Sequence, residues 1–287
     1  METTQFDTEP RRERRRWLFG NQKGGTGKTS FVLLMAEAAA LRGLRVLVCD
    51  FDPQANATDA LLGEDDVDDG TIAMMSDKAD DIPVIRPSLW ENVDVLGSGL
   101  DLAKAEMDSA LEGPYRAERA LRELAAGYDL VLFDMPPSLG RLLTAGLIAA
   151  DGVVVVTDAT KSGLKAIKNV MESFETVREL NMNQREVELL GIVVNRYKST
   201  GEQDFREGEV REAYGSLVIE GHLPERAGLA EAHASNITVH SHTRGSGSRL
   251  QAAYGDMVLQ TLLERAGLAT APNTPVAPTT TVEETAR

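Results

Sequence analysis

Phe19-Gly20-Asn21-Gln22-Lys23-Gly24-Gly25-Thr26-Gly27-Lys28-Thr29-Ser30 is the stretch of this 287-residue chain on which the fold turns. It follows a short apolar run at 16–20 and opens a segment of helical spacing at 28–42. Glycines let the backbone aim its N–H groups at one point, and the start of the following helix adds the positive end of its dipole. A loop built this way suits a phosphate. Lys28 then reaches the β- and γ-phosphates of a nucleotide, and the Thr29 hydroxyl can ligate Mg²⁺. The plain alternative is a flexible glycine loop before an ordinary helix, but Gly-Lys-Thr at a strand-to-helix junction favours phosphate. The loop departs from the general GxxxxGK[ST] pattern: Gln22 stands where the first glycine belongs, and a second lysine, Lys23, precedes two glycines.

Outward from the loop, apolar runs at 44–49, 130–133, 153–157 and 190–194 read as buried strands. Helical patterns at 139–149, 161–180, 202–214 and 247–266 separate or follow them. Continuous Val/Leu/Ile runs with helices between them are the pattern of parallel strands covered on both faces. The expected fold class is α/β, a doubly wound, mostly parallel sheet with helices on both faces. One domain is expected over 16–268, with a flexible basic arm at 1–15 and a Thr/Pro/Ala-rich disordered tail at 269–287.

Formal net charge is −15, from 45 acids against 30 bases, which taken alone argues against nucleic acid or anionic membrane. The distribution is uneven. Residues 50–112 hold 17 acids and three bases (Lys78, Arg86, Lys104), so −14 falls in that stretch. Within it, Gly63-Glu64-Asp65-Asp66-Val67-Asp68-Asp69-Gly70 reads as a solvated loop; a calcium loop of EF-hand spacing is absent. A lone cysteine, Cys49, excludes a disulfide framework and any single-chain CxxC metal site. No apolar run approaches the ~20 residues that span a bilayer, and the arginine-rich N-terminus lacks an apolar signal region, so a cytoplasmic protein is expected. The four histidines lie together at 222–242 without the regular acid or Cys partners of a metal site.

Further motifs follow in order. Cys49-Asp50-Phe51-Asp52-Pro53-Gln54-Ala55-Asn56 ends a strand, where a carboxylate faces the ligand crevice of an open sheet. Read alone it is a turn. Tyr128-Asp129-Leu130-Val131-Leu132-Phe133-Asp134-Met135-Pro136-Pro137 ends another strand, and Asn195 a third. Leu223-Pro224 precedes Leu229-Ala230-Glu231-Ala232. Together with Lys-Gly-Gly-Thr-Gly-Lys-Thr, these segments resemble the deviant Walker A P-loop ATPases of the ParA/MinD family over about residues 16–266, and most strongly the short ParA, or Soj-type, partition branch.

The resemblance implies a P-loop NTPase fold with ATP and Mg²⁺ as ligands. Gly24, Gly25, Thr26, Gly27, Lys28, Thr29 and Ser30 would hold the phosphates, and Asn195 and Pro224 the adenine. Asp52 would orient the attacking water. Asp50 would sit near Mg²⁺, with Thr29 and Asp134 in its shell. Lys23 would cross a homodimer interface to the partner's nucleotide, a second cation on phosphates already held by Lys28. It also implies nonspecific DNA binding, hydrolysis under a ParB-like adaptor, and nucleoid association. Arg211 matches a phosphate-contacting position, with Arg226, Arg196 and Lys198 as further candidates. Lys161, Lys165 and Lys168 form a basic face at helical spacing, and Arg11, Arg12, Arg14, Arg15 and Arg16 a basic arm; a solvated charge is the ordinary reading of each. The tail lacks the basic amphipathic helix of membrane-binding relatives, so no membrane partner is expected. Two alternatives stay open: a positioning ATPase for a non-DNA cargo, and a P-loop metabolic or electron-transfer enzyme.

Overall fold

The computed structural model describes residues 15–63, 70–78, 80–107, 113–180, 187–225, 227–242 and 246–268. Among these, the apolar runs form strands β1 (Arg16–Gly20), β2 (Val46–Asp50), β5 (Leu130–Asp134), β6 (Gly152–Asp158) and β7 (Glu188–Asn195). Two short strands that hydropathy does not reveal, β3 (Ile85–Pro87) and β4 (Val93–Leu96), extend the sheet on one side. The order is β3-β4-β2-β5-β1-β6-β7, with every neighbouring pair parallel except the antiparallel edge β3–β4. Pro87 is tolerated there because an edge strand need not donate on its outer side.

Side chains alternate across the strands, and each alternate set finds its own core. Trp17, Phe19, Val46, Val48, Leu130, Leu132, Val154 and Val156 face one layer. That layer is α1 (Lys28–Ala40), α2 (Asn56–Leu62), α9 (Ala227–Ala234) and α10 (Ser246–Ala266). Leu18, Leu47, Cys49, Val131, Phe133, Val153 and Val155 face the other. There lie α3 (Gly70–Met75), α5 (Gly113–Leu124), α6 (Arg141–Ala149) and α7 (Lys161–Leu180). The short α4 (Ala103–Met107) runs ahead of α5, and α8 (Gly201–Tyr214) sends Val210 into the second core. Each fully buried Leu, Val or Phe of these faces contributes roughly 1.5–3 kcal/mol, so both faces of the sheet are fixed by the helices over them.

This arrangement sets the site. β1 lies between β5 and β6, while the chain leaves it for β2, two places away. Ligands of open parallel sheets bind beyond the carboxyl ends of the strands at such a reversal. The strands meeting that edge end at Gly20, Asp50, Asp134, Asp158 and Asn195. Arg16, the last of the N-terminal arginines, opens β1 as the run 16–20 implies and is 8% exposed; its N–H donates to Asp151 and its guanidinium to the Ala149 carbonyl. Burial removes it from any surface basic patch. The acidic run 64–69, Arg11, Arg12, Arg14, Arg226 and the tail lie outside the described residues. Among the described residues no helix is long and apolar enough to cross a membrane.

Candidate functional site

The P-loop takes the backbone path its glycines allow. Gly25 and Gly27 have φ of 74° and 80°, in the left-handed region that other residues enter only at a cost. Gly27 also has no room for a side chain, since a Cβ would meet Asn195 Nδ2 at 2.5 Å. α1 then begins with Lys28 and carries no acid in its first turn, which leaves its N-terminal dipole available to an anion. Gly24, Gly25, Gly27, Lys28, Thr29 and Ser30 line a cleft of about 740 Å³, closed opposite by Asp52, Gln54 and Asn56 and by Ala230 and His233 of α9. That volume is in the range of small-molecule sites.

Beneath the cleft the ionisable groups are deeply buried. Lys28 is 7% exposed; burial lowers its pKa, while the charges of Asp134 and Asp52 work against that fall. Asp50 and Asp134 face each other in register at the ends of β2 and β5. Asp50 accepts from the Asp52 N–H at 3.0 Å, the Thr58 N–H at 3.0 Å and the Thr58 hydroxyl at 2.8 Å. Burial still pushes its carboxyl up to about 6. Asp134 differs. Both its oxygens are buried without a hydrogen-bond partner. Burial and the neighbouring Asp50 charge push its pKa well up, against the Thr29 side chain and Lys28. A buried, unpartnered carboxylate is costly, and a cation beside it removes the cost. These residues therefore fit a divalent ion next to a triphosphate. Asp52, 8% exposed, turns the loop by accepting from the Gln54 N–H at 3.0 Å and lines the cleft.

The loop is strapped from both sides. Asn21 Nδ2 donates to the Val156 carbonyl at 2.7 Å, and Asn169 to Gln22 Oε1. Lys23 Nζ pairs with Asp158 in its own chain. From the other side Asn195 Nδ2 donates to the Thr26 carbonyl at 2.7 Å and the Gly27 carbonyl at 3.3 Å, and its Oδ1 accepts the Arg196 N–H. Asn195, expected to meet adenine, thus has no free donor for a base in this conformation. Pro224 bridges to Tyr197 beside it, away from the cleft lining. Arg196 bonds the Gly25 carbonyl and Glu225; Lys198 pairs with Glu225 at 2.6 Å. Arg211 pairs with Glu207 at 2.6 Å and donates to the Gly221 carbonyl at 3.0 Å. Three of the basic candidates are thereby paired within the chain; on α7, Lys161, Lys165 and Lys168 are exposed, with Lys168 3.7 Å from Glu172.

Thr58, Asn21, Asp158 and His233 belong to the site and escape a reading of the sequence. Residue type alone does not reveal their roles: Asn21 sits within the P-loop stretch, but for Asn21 and Lys23 the partner lies 135 residues away. The His233 ring, held neutral by burial with a pKa of about 4, lines the cleft with its Nε2 unpartnered. Among the described residues no three His, Cys, Asp or Glu side chains gather into a metal cluster.

A doubly wound sheet with this loop at its reversal defines a P-loop nucleotide-binding protein. A family model described as an AAA domain matches residues 16–187, and the chain belongs to that family, in its ParA/MinD-type group. It is 34% identical to the chromosome-partitioning ATPase Soj of Thermus thermophilus over 234 residues, 79% of this chain and 88% of that protein. It is 32% identical to the sporulation initiation inhibitor protein Soj of Bacillus subtilis over 216 residues, 74% of this chain and 85% of that protein. Among solved structures, cobyrinic acid a,c-diamide synthase from Mycobacterium smegmatis with bound ADP and magnesium superposes with a TM-score of 0.71 at 25% identity, covering 91% of this chain and 100% of the other.

Proposed function

We propose that this chain is a ParA-type ATPase that binds ATP with Mg²⁺, dimerises on it and hydrolyses it. The observation that carries the reading is the P-loop over the Asp50–Asp134 pair, with the partnerless Asp134 carboxylate beside Thr29 and Lys28. Gly24–Ser30 would hold the phosphates, Lys28 neutralising them. Thr29 and Asp134, with Asp50 behind, would hold Mg²⁺, which supplies charge on the phosphate oxygens. Asp52, at the cleft wall, would orient the attacking water, and Lys23 would serve the partner's nucleotide. Likeness to relatives named as ATPase and to a structure holding ADP and magnesium supports the ligand set. Lys28→Ala is expected to weaken ATP binding at least about 100-fold in a fluorescent-nucleotide titration; retained tight binding would overturn the site.

For the cellular role we infer positioning or segregation of DNA, by an ATP-loaded dimer that binds DNA without sequence preference and is reset by a ParB-like adaptor. Support comes from the likeness to a chromosome-partitioning ATPase and from the exposed α7 lysines. Arg196, Lys198 and Arg211 could contribute only by releasing Glu225 or Glu207. A gel shift with ATP is expected at low salt and to fade near physiological salt, as phosphate contacts do. Absence of any ATP-dependent shift at low salt would favour a non-DNA cargo. An ATP-using metabolic enzyme has in its favour the likeness to the synthase, and would show turnover of a small acceptor with ATP, independent of dimerisation.

A further inference from the structure

Lys23 is held where it cannot serve another subunit. Its Nζ makes an ion pair with the Asp158 carboxylate at the end of β6 and donates to Thr160 Oγ1 at 3.1 Å. Both acceptors are built in place without it. Thr160 Oγ1 donates to Asp158 Oδ1 at 2.8 Å and accepts the Gly163 N–H at 3.0 Å, at the start of α7. Gly163 leaves the space for this turn, since a Cβ there would stand 2.6 Å from Asp158 Oδ1. On the lysine side, the Lys23 N–H donates to Asn21 Oδ1 at 2.8 Å, and Asn21 is itself tied to the Val156 carbonyl of β6. The first half of the P-loop is thus strapped to β6 by backbone and side chain together, and the ammonium is turned toward Asp158.

We propose that Asp158, assisted by Thr160, is a positioning residue that stores Lys23 in its own subunit and sets the nucleotide level at which two chains associate. The proposal rests on the reading of Lys23 as the lysine given to the partner's nucleotide. One ammonium cannot neutralise Asp158 at home and phosphates across an interface at the same time. Dimer formation therefore breaks one ion pair in each protomer. The side chains are only 28% and 14% exposed, so water and salt screen the pair less than a surface pair, and its loss is felt. In a dimer of two such chains the cost enters twice. Asp158 accordingly opposes dimerisation and keeps the chain monomeric until the nucleotide outcompetes it for Lys23.

Sedimentation velocity of the full-length protein across a titration of ATP with Mg²⁺, using Asp158→Asn, Thr160→Val and Lys23→Gln beside the wild type, tests this. Nucleotide binding by the monomer, measured separately with a fluorescent ATP analogue, verifies that each variant is folded. The expected result is that Asp158→Asn dimerises on the order of tenfold more readily than the wild type. Thr160→Val should move the same way by less, and Lys23→Gln should bind nucleotide yet stay monomeric. If Lys23→Gln stays monomeric while Asp158→Asn, binding nucleotide normally, dimerises no more readily than the wild type, the storage role is overturned and the trans role of Lys23 stands. If Lys23→Gln dimerises like the wild type, the trans role itself fails and the storage role with it. Should Asp158→Asn not fold, Thr160→Val decides: unchanged or weaker dimerisation overturns the proposal.

Discussion

The residue that concentrates the chemistry is Asp134. Its two oxygens are buried without a hydrogen-bond partner, beside the Asp50 carboxyl in register on the next strand. A folded carboxyl with a raised pKa keeps its proton to a higher pH than the unfolded chain does. The unfolded state then binds fewer protons, and stability falls as pH rises from about 4 through the folded pKa. Asp50, at about 6, and Asp134 act in the same direction. Asp134→Asn should thus match the wild type near pH 4 and become more stable as pH rises, by about 1–3 kcal/mol at pH 7.5 in urea unfolding without nucleotide. The same variant should lose the dependence of nucleotide binding on Mg²⁺. Equal stabilities across the pH range would show that Asp134 carries no unrelieved charge.

At the scale of elements, the P-loop is held less by its own turns than by strands on either side of it. Asn195, at the end of β7, ties down the Thr26 and Gly27 carbonyls, and Asn21 ties the opposite half to β6. Asn195→Ala removes two donors from a loop whose conformation is already costly at Gly25 and Gly27. It should weaken nucleotide binding about tenfold while moving thermal unfolding by only about 1 kcal/mol. A loss of binding matched by global unfolding would show that the strap is a core contact instead. The elements themselves differ in how far the sequence reveals them. Helix 161–180 coincides with its hydropathic pattern at both ends, because a long periodic segment marks its own limits, and β1 coincides with the short run 16–20 that leads into the glycine loop. β3 and β4, three and four residues long, carry too short a pattern; β4 is a strand because β2 offers an edge, and β3 because β4 does. The same holds for the site: the P-loop is local in sequence and legible there, whereas the straps that shape it join residues 135 to 169 positions apart.

For the whole molecule, the −15 charge bears less on function than its placement. Most of the excess lies between residues 50 and 112, a stretch that begins at the carboxylates beside the P-loop and includes β3 and β4. The exposed lysines of α7 lie beyond β1 on the opposite side, next to β6. A chain so divided can offer a phosphate-binding face while its net charge stays acidic, at the price of strong sensitivity to salt. The central claim, that nucleotide joins two chains through Lys23, is tested most directly by sedimentation velocity of the wild type and Lys23→Ala, each with and without ATP and Mg²⁺. The expected result is a wild type that shifts from monomer to dimer only with ATP and Mg²⁺, beside a Lys23→Ala variant that binds the nucleotide and remains monomeric. A wild type that stays monomeric at saturating nucleotide, or a variant that dimerises equally well, would contradict it.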